Sequence, residues 1–99
     1  MTSQDQLPHI TTVKDRAKSK LERDAREILS ALQDPETVEI MVNADGRIWQ
    51  EKLGQKIQHI GNIQAAQVEA VIKTVAGFHG KEVNRFNPMI EGEFPLDNS

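Results

Sequence analysis

The chain has 99 residues, a formal net charge of -3 and no cysteine. That length suits one domain with one small core. The missing thiols exclude disulfide staples, thiolate nucleophiles and cysteine-based zinc sites, and the acidic balance gives no overall electrostatic case for nucleic acid. Hydrophobic residues make up 37% and charged residues 27%, which fits a folded protein rather than a disordered one. No apolar run approaches the roughly 20 residues of a membrane span, and no secretory signal opens the sequence. The expected compartment is the cytoplasm.

In chain order, residues 1–11 are polar, carry one Pro and lack periodicity, so a flexible end is expected there. Residues 12–33 turn helical: Leu21, Ala25, Ile28, Leu29 and Leu32 recur on one stripe. Thr11 or Thr12 caps the start, with Asp15 in a capping-box position after Thr12. The alternating charges of this helix read as a solvated, salt-bridged face. Its basic N-terminal end offers a sharper alternative, contact with acidic lipid or a partner protein. Asp34-Pro35 ends the helix, because the residue before Pro avoids the α region.

Residues 36–52 carry the strongest hairpin signal. Val38, Ile40 and Val42 alternate with Glu39, Met41 and Asn43, and Asn43-Ala44-Asp45-Gly46 fits a type I turn closed by a Gly bulge. In that register Asn43 faces Arg47, Val42 faces Ile48 and Met41 faces Trp49. One face then holds Val38, Ile40, Val42 and Ile48. The other holds Met41 and the only Trp, and both faces need cover. Leu53-Gly54 turns the chain into a short third strand over 55–60, and Gly61-Asn62 breaks it. Asn62 caps a helix expected over 63–79. Ala65, Val68, Ile72, Val75, Ala76 and His79 form its stripe, widened by Val71 and Phe78, which predicts the most buried helix of the domain. Gly77 either weakens its last turn or lets it approach the sheet closely, and Gly80 sits where a C-terminal Gly belongs. Residues 83–88 read as loop or short strand. Residues 89–96 read as a strand that Gly92 and Pro95 confine to an edge or bulge. The chain then stops on turn residues, as if the partner strand of a hairpin lay beyond Ser99. The expected fold class is α+β: a small antiparallel sheet with a long N-terminal helix and a buried second helix, with residues 12–99 as a single domain.

Little in the pattern carries chemistry. Gly77-Phe78-His79-Gly80-Lys81 has the wrong spacing for a phosphate loop and lies at the end of a helix, whereas phosphate favours the start. His9, His59 and His79 lack metal-ligand spacing. Glu91 and Glu93 share one face of a strand and read as solvated first, as interface residues second, and as a catalytic pair last. Met41 and Trp49 are read as core or as a partner-facing patch, since both residue types are enriched at interfaces. Arg85, before Phe86, is placed to reach a phosphate or carboxylate. Met41, Trp49, Arg85, Glu91 and Glu93 are therefore the interface candidates, with no catalytic, nucleotide-binding or metal-binding residue assigned.

Three segments occur in a familiar order: Asp34-Pro35 into a strand with an Asn-x-Asp-Gly-Arg turn, the helix ending Val75-Ala76-Gly77-Phe78-His79-Gly80, and Asn87-Pro88 leading to Glu91-Gly92-Glu93-x-Pro95-Leu96. Over about residues 29–99 the chain resembles the N-terminal domain of conjugal transfer ATPases of the TrbB type, among the hexameric ATPases of type IV and type II secretion. The resemblance implies a PAS-like N-terminal domain, cut before its final hairpin partner, that is followed by a Walker-type ATPase domain holding ATP and Mg. It implies a homohexamer whose N-terminal domains form one tier that moves during hydrolysis. Its partners would be the chain's own ATPase domain, neighbouring subunits and other conjugation proteins at the inner face of the bacterial membrane, with no direct contact to nucleic acid. The Walker residues are absent from these 99 positions, so this stretch is not expected to hydrolyse ATP by itself. Two other readings stand beside it. One is a free-standing PAS-like sensor binding a small ligand in its core; the other is a small regulator that binds a partner through the charged N-terminal helix.

Overall fold

A computed structural model describes residues 12–78 and 80–89. Helix α1 (Val13–Asp24) starts at Thr12 with both halves of a capping box: Asp15 N–H donates to Thr12 Oγ1 at 3.0 Å and Thr12 N–H donates to Asp15 Oδ2 at 3.3 Å. The expected single long helix is broken. At Ala25 the backbone swings to φ -155° and ψ 65°, ending α1 and starting α2 (Arg26–Gln33). Neither Pro nor Gly causes this. Ala25 stays bonded on both sides, donating to Leu21 O at 2.7 Å and accepting from Ile28 N–H at 3.0 Å, so the break leaves few groups unpaired. It lets α1 pack on α3 while α2 packs on the sheet. The predicted stripe holds through the break: Leu21, Ala25, Ile28, Leu29 and Leu32 are all buried.

Strands β1 (Thr37–Asn43) and β2 (Arg47–Lys52) form the hairpin in the expected register, with Met41 opposite Trp49 and Val42 opposite Ile48. Gly46 N–H donates to Asn43 O at 2.9 Å, and Gly46 takes φ +100°. The Asp45 side chain reinforces the turn, accepting from Arg47 N–H at 3.1 Å and Arg47 Nε at 2.8 Å. One expectation fails here. A bulge between Thr37 and Glu39 shifts the register, so Val38 is 45% exposed and Thr37, at 5%, takes the inward place. Strand β3 (Gln58–Asn62) pairs with β2 through a second bulge. It therefore includes Gly61 and Asn62, the residues expected to break it.

The expected helix over 63–79 is shorter. A 3-10 turn (Ala65–Gln67) leads into α3 (Val68–Val75), whose N-cap is Gln67, with no side-chain cap. Asn62 instead makes a 3.1 Å bond with His59 Nε2. Val68, Val71, Val75 and Phe78 are buried as the stripe predicts, whereas Ala65 and Ala76 are exposed. Gly77 permits a close approach, but to α1 rather than to the sheet: a Cβ there would lie 3.0 Å from Ala17 Cβ and 3.3 Å from Val13 Cγ1. A one-turn helix α4 (Lys81–Asn84) then delivers the chain to β4 (Phe86–Met89).

Strand β4 corrects the sheet type. It pairs with β1 in parallel, Ile40 with Phe86 and Val42 with Pro88, giving the order β3-β2-β1-β4. The sheet is mixed, not antiparallel. A parallel partner needs a crossover, and α3 and α4 supply it over the helical face. Pro88, lacking an N–H, is tolerated because β4 lies at the end of that order. The core joins α1, α2, α3 and Phe78 to Ile40, Val42 and Ile48 on one sheet face. Full burial of Leu21, Ile28, Leu32, Ile40 and Ile48 contributes about 1.5–3 kcal/mol for each side chain. The strand and hairpin expected beyond Met89 lie outside the described residues.

Candidate interface

The sheet face turned away from the core cluster brings two of the candidate residues together. Ile40 and Val42 point into the core, so Met41 between them points out; by the same alternation Trp49 points out beside Ile48. Register places Met41 and Trp49 directly opposite each other, within reach of a cross-strand contact. Met41 is only 2% exposed yet stands outside the core cluster. Trp49 is half-buried. Its ring lies 5.0 Å from that of His59 on β3, tilted by 40°, and the Arg47 guanidinium stands 5.9 Å from its centroid. Arg47, Trp49 and His59 thus line up across β2 and β3. An aromatic body flanked by two nitrogen-bearing groups suits a contact that is partly apolar and partly polar.

Arg85 lies elsewhere. Its Nη1 donates to Leu32 O at 3.2 Å and to Asp34 O at 2.9 Å, the exposed carbonyl end of α2. A cation there satisfies the Leu32 carbonyl, adds to the Thr37 N–H that Asp34 O already accepts, and complements the helix dipole. The backbone carbonyl of Arg85 accepts from Ile40 N–H at 2.9 Å, so the same residue fixes the start of β4 on β1. Sequence reading had Arg85 in reach of a phosphate or carboxylate; the structure sets its guanidinium on main-chain carbonyls of its own fold. Glu91 and Glu93 lie outside the described residues.

Asp34 and Thr37 organise the region around Arg85. The Asp34 carboxylate accepts from Glu36 N–H at 2.9 Å and pairs with Lys52 Nζ at 3.1 Å. The backbone N–H of Glu36 first, then Lys52, hold its pKa below the ordinary 3.8. Thr37 Oγ1 donates to Ala31 O at 2.7 Å and accepts from Gln50 Nε2 at 2.8 Å. Pro35 signalled the turn, but Lys52 and Gln50 of β2, and Arg85, reach Asp34 and Thr37 from too far along the sequence to be signalled locally. On the opposite flank, Lys14 pairs with Glu82 at 2.9 Å, tying α1 to α4. Among the described residues no cluster of His, Asp or Glu is arranged to hold a metal ion, and no helix is long and apolar enough to cross a membrane.

No family model and no solved structure matches the chain. Two curated proteins do. A probable conjugal transfer protein TrbB of Sinorhizobium fredii is 42% identical over 66 residues, and a conjugal transfer protein TrbB of Rhizobium radiobacter is 41% identical over 66 residues. Each match covers 67% of this chain but 20% of the relative, so the chain accounts for about a fifth of the length of the proteins it matches. Over that stretch the chain is a relative of the TrbB conjugal transfer proteins, consistent with an N-terminal domain of a TrbB-type protein.

Proposed function

We propose that this chain is the N-terminal oligomerisation and regulatory domain, PAS-like in architecture, of a hexameric ATPase that powers conjugative DNA transfer through a type IV secretion machine. The observation that carries the reading is the match at 41–42% identity to two conjugal transfer proteins. ATP and Mg belong in this reading to other parts of the parent protein, because the Walker residues are absent from these 99 positions. In this reading the sheet and helices move as one body. Trp49, half-exposed opposite the buried Met41, faces the ATPase domain or a neighbouring subunit, other conjugation proteins dock on the assembled ring, and the ring works in the cytoplasm at the inner face of the membrane.

The test is to express the full reading frame that contains this sequence and measure its native mass and ATP hydrolysis. Six copies with nucleotide turnover support the reading; a monomer without turnover overturns it. Trp49→Ala in that protein is expected to weaken assembly or lower the melting temperature. No change in either removes Trp49 from the interface.

A further inference from the structure

A cleft of about 300 Å³ runs between α2 and the strands β2 and β3. Its floor includes Gln50, which is only 7% exposed. A buried amide on the core-facing side of a strand, next to Ile48, calls for an explanation. Half of it is internal. Thr37 has one hydroxyl proton, and that proton goes to Ala31 O. Thr37 Oγ1 must then accept from Gln50, which fixes the amide orientation with Nε2 toward Thr37. The Gln50 carbonyl oxygen is left as an acceptor on the cleft side, with no donor from the described residues.

The walls add charge in a set order. Lys52 and Asp34 close one end and neutralise each other at 3.1 Å. About 12 Å away along α2, the rise of eight helical residues, Arg26 and Glu27 mark the other end. Neither is engaged in an ion pair among the described residues. Glu27 lies over Gly61, where a Cβ would come within 2.9 Å of its side chain. Ile60 supplies the apolar wall beside it. One free cation, one free anion, one inward acceptor and an apolar wall together complement a molecule that is itself dipolar.

We propose that this cleft binds a small zwitterion of amino-acid size, with its carboxylate on Arg26, its ammonium on Glu27 and the Gln50 carbonyl oxygen, and its apolar part against Ile60. Ligands of either single charge meet an uncompensated opposing group here, so the site selects for both charges at once. The inference does not depend on the ring assembly proposed above.

The test is NMR titration of the 99-residue chain with L-leucine, N-acetyl-L-leucine and L-leucine amide; the two analogues each remove one charge. L-Leucine is expected to shift the Gln50 side-chain amide and the Ile60 methyls saturably by about 10 mM. Each blocked analogue, and L-leucine added to Arg26→Gln or Glu27→Gln, is expected to bind about tenfold more weakly, one lost charge-assisted contact. Both substitutions are on exposed α2 positions, and the unchanged core resonances of each variant confirm its fold. No saturable shift with L-leucine, shifts confined to other surfaces, or equal response to all three compounds overturns the proposal.

Discussion

Gly46 is where the hairpin meets the rest of the chain, and its replacement by Ala is the sharpest test of how the fold is held. Two separate obstacles oppose a side chain there. The backbone is at φ +100°, in the region where a non-Gly residue costs about 1–2 kcal/mol. A Cβ would also lie 1.8 Å from Ile63 O, a main-chain atom that cannot rotate away. Relief requires the Ile63 segment to move off, breaking the 2.8 Å bond from Ile63 N–H to Gly46 O; a lost bond of this kind costs about 1 kcal/mol. Together these make about 3 kcal/mol, a large part of the usual stability of a small domain. For a domain of this size the melting temperature would fall by about 12–24 °C. Gly54 provides the control. It too has positive φ, +74°, but nothing lies within 4 Å of its would-be Cβ. Gly54→Ala should show the conformational cost alone, about 1 kcal/mol. Thermal melts followed by circular dichroism measure both. Equal losses at the two positions would refute the collision, and with it the seating of Ile63 on the turn.

Arg85→Ala leaves the Leu32 carbonyl without its donor, while the Asp34 carbonyl keeps the Thr37 N–H, and should cost about 1–3 kcal/mol. Hydrogen exchange should quicken first in β4, and Arg85→Lys should restore only part, because one ammonium cannot reproduce the planar fork. Thr37→Val keeps the shape but strands the Gln50 amide donor; urea denaturation should show a loss of about 1–3 kcal/mol. Asp34 predicts an acid limb. Its folded pKa is depressed, so its contribution is fully present above the unfolded value near 3.8 and is lost as pH falls through the lower folded value. Denaturation midpoints measured against pH should therefore drop on the acid side of about pH 4, and Asp34→Asn should flatten that drop while lowering the plateau at neutral pH.

Local signals were legible and non-local ones were not. The hairpin register followed from alternation and the Asn43–Gly46 turn, because both are written within a few residues. The capping box at Thr12 and the apolar stripe from Leu21 to Leu32 were equally local. The parallel pairing of β4 was hidden: Phe86-Asn87-Pro88 has weak strand propensity, and its partner β1 lies more than 40 residues earlier. Sequence alternation placed Val38 inward, but the bulge beside it exchanged it for Thr37. The helix break at Ala25 carries no Pro or Gly signature, since tertiary packing of α1 and α2 on different partners imposes it. Of the candidate interface, Met41 and Trp49 were paired by register. The internal anchoring of Arg85 was not visible, because its acceptors are main-chain carbonyls and no residue type announces them.

The central claim is that this domain supports assembly of a larger conjugation ATPase. The most direct measurement is the native mass of the full parent protein beside a version lacking residues 12–89. The account predicts six copies for the first and loss of the ring for the second. A ring that forms equally well without the domain would contradict it.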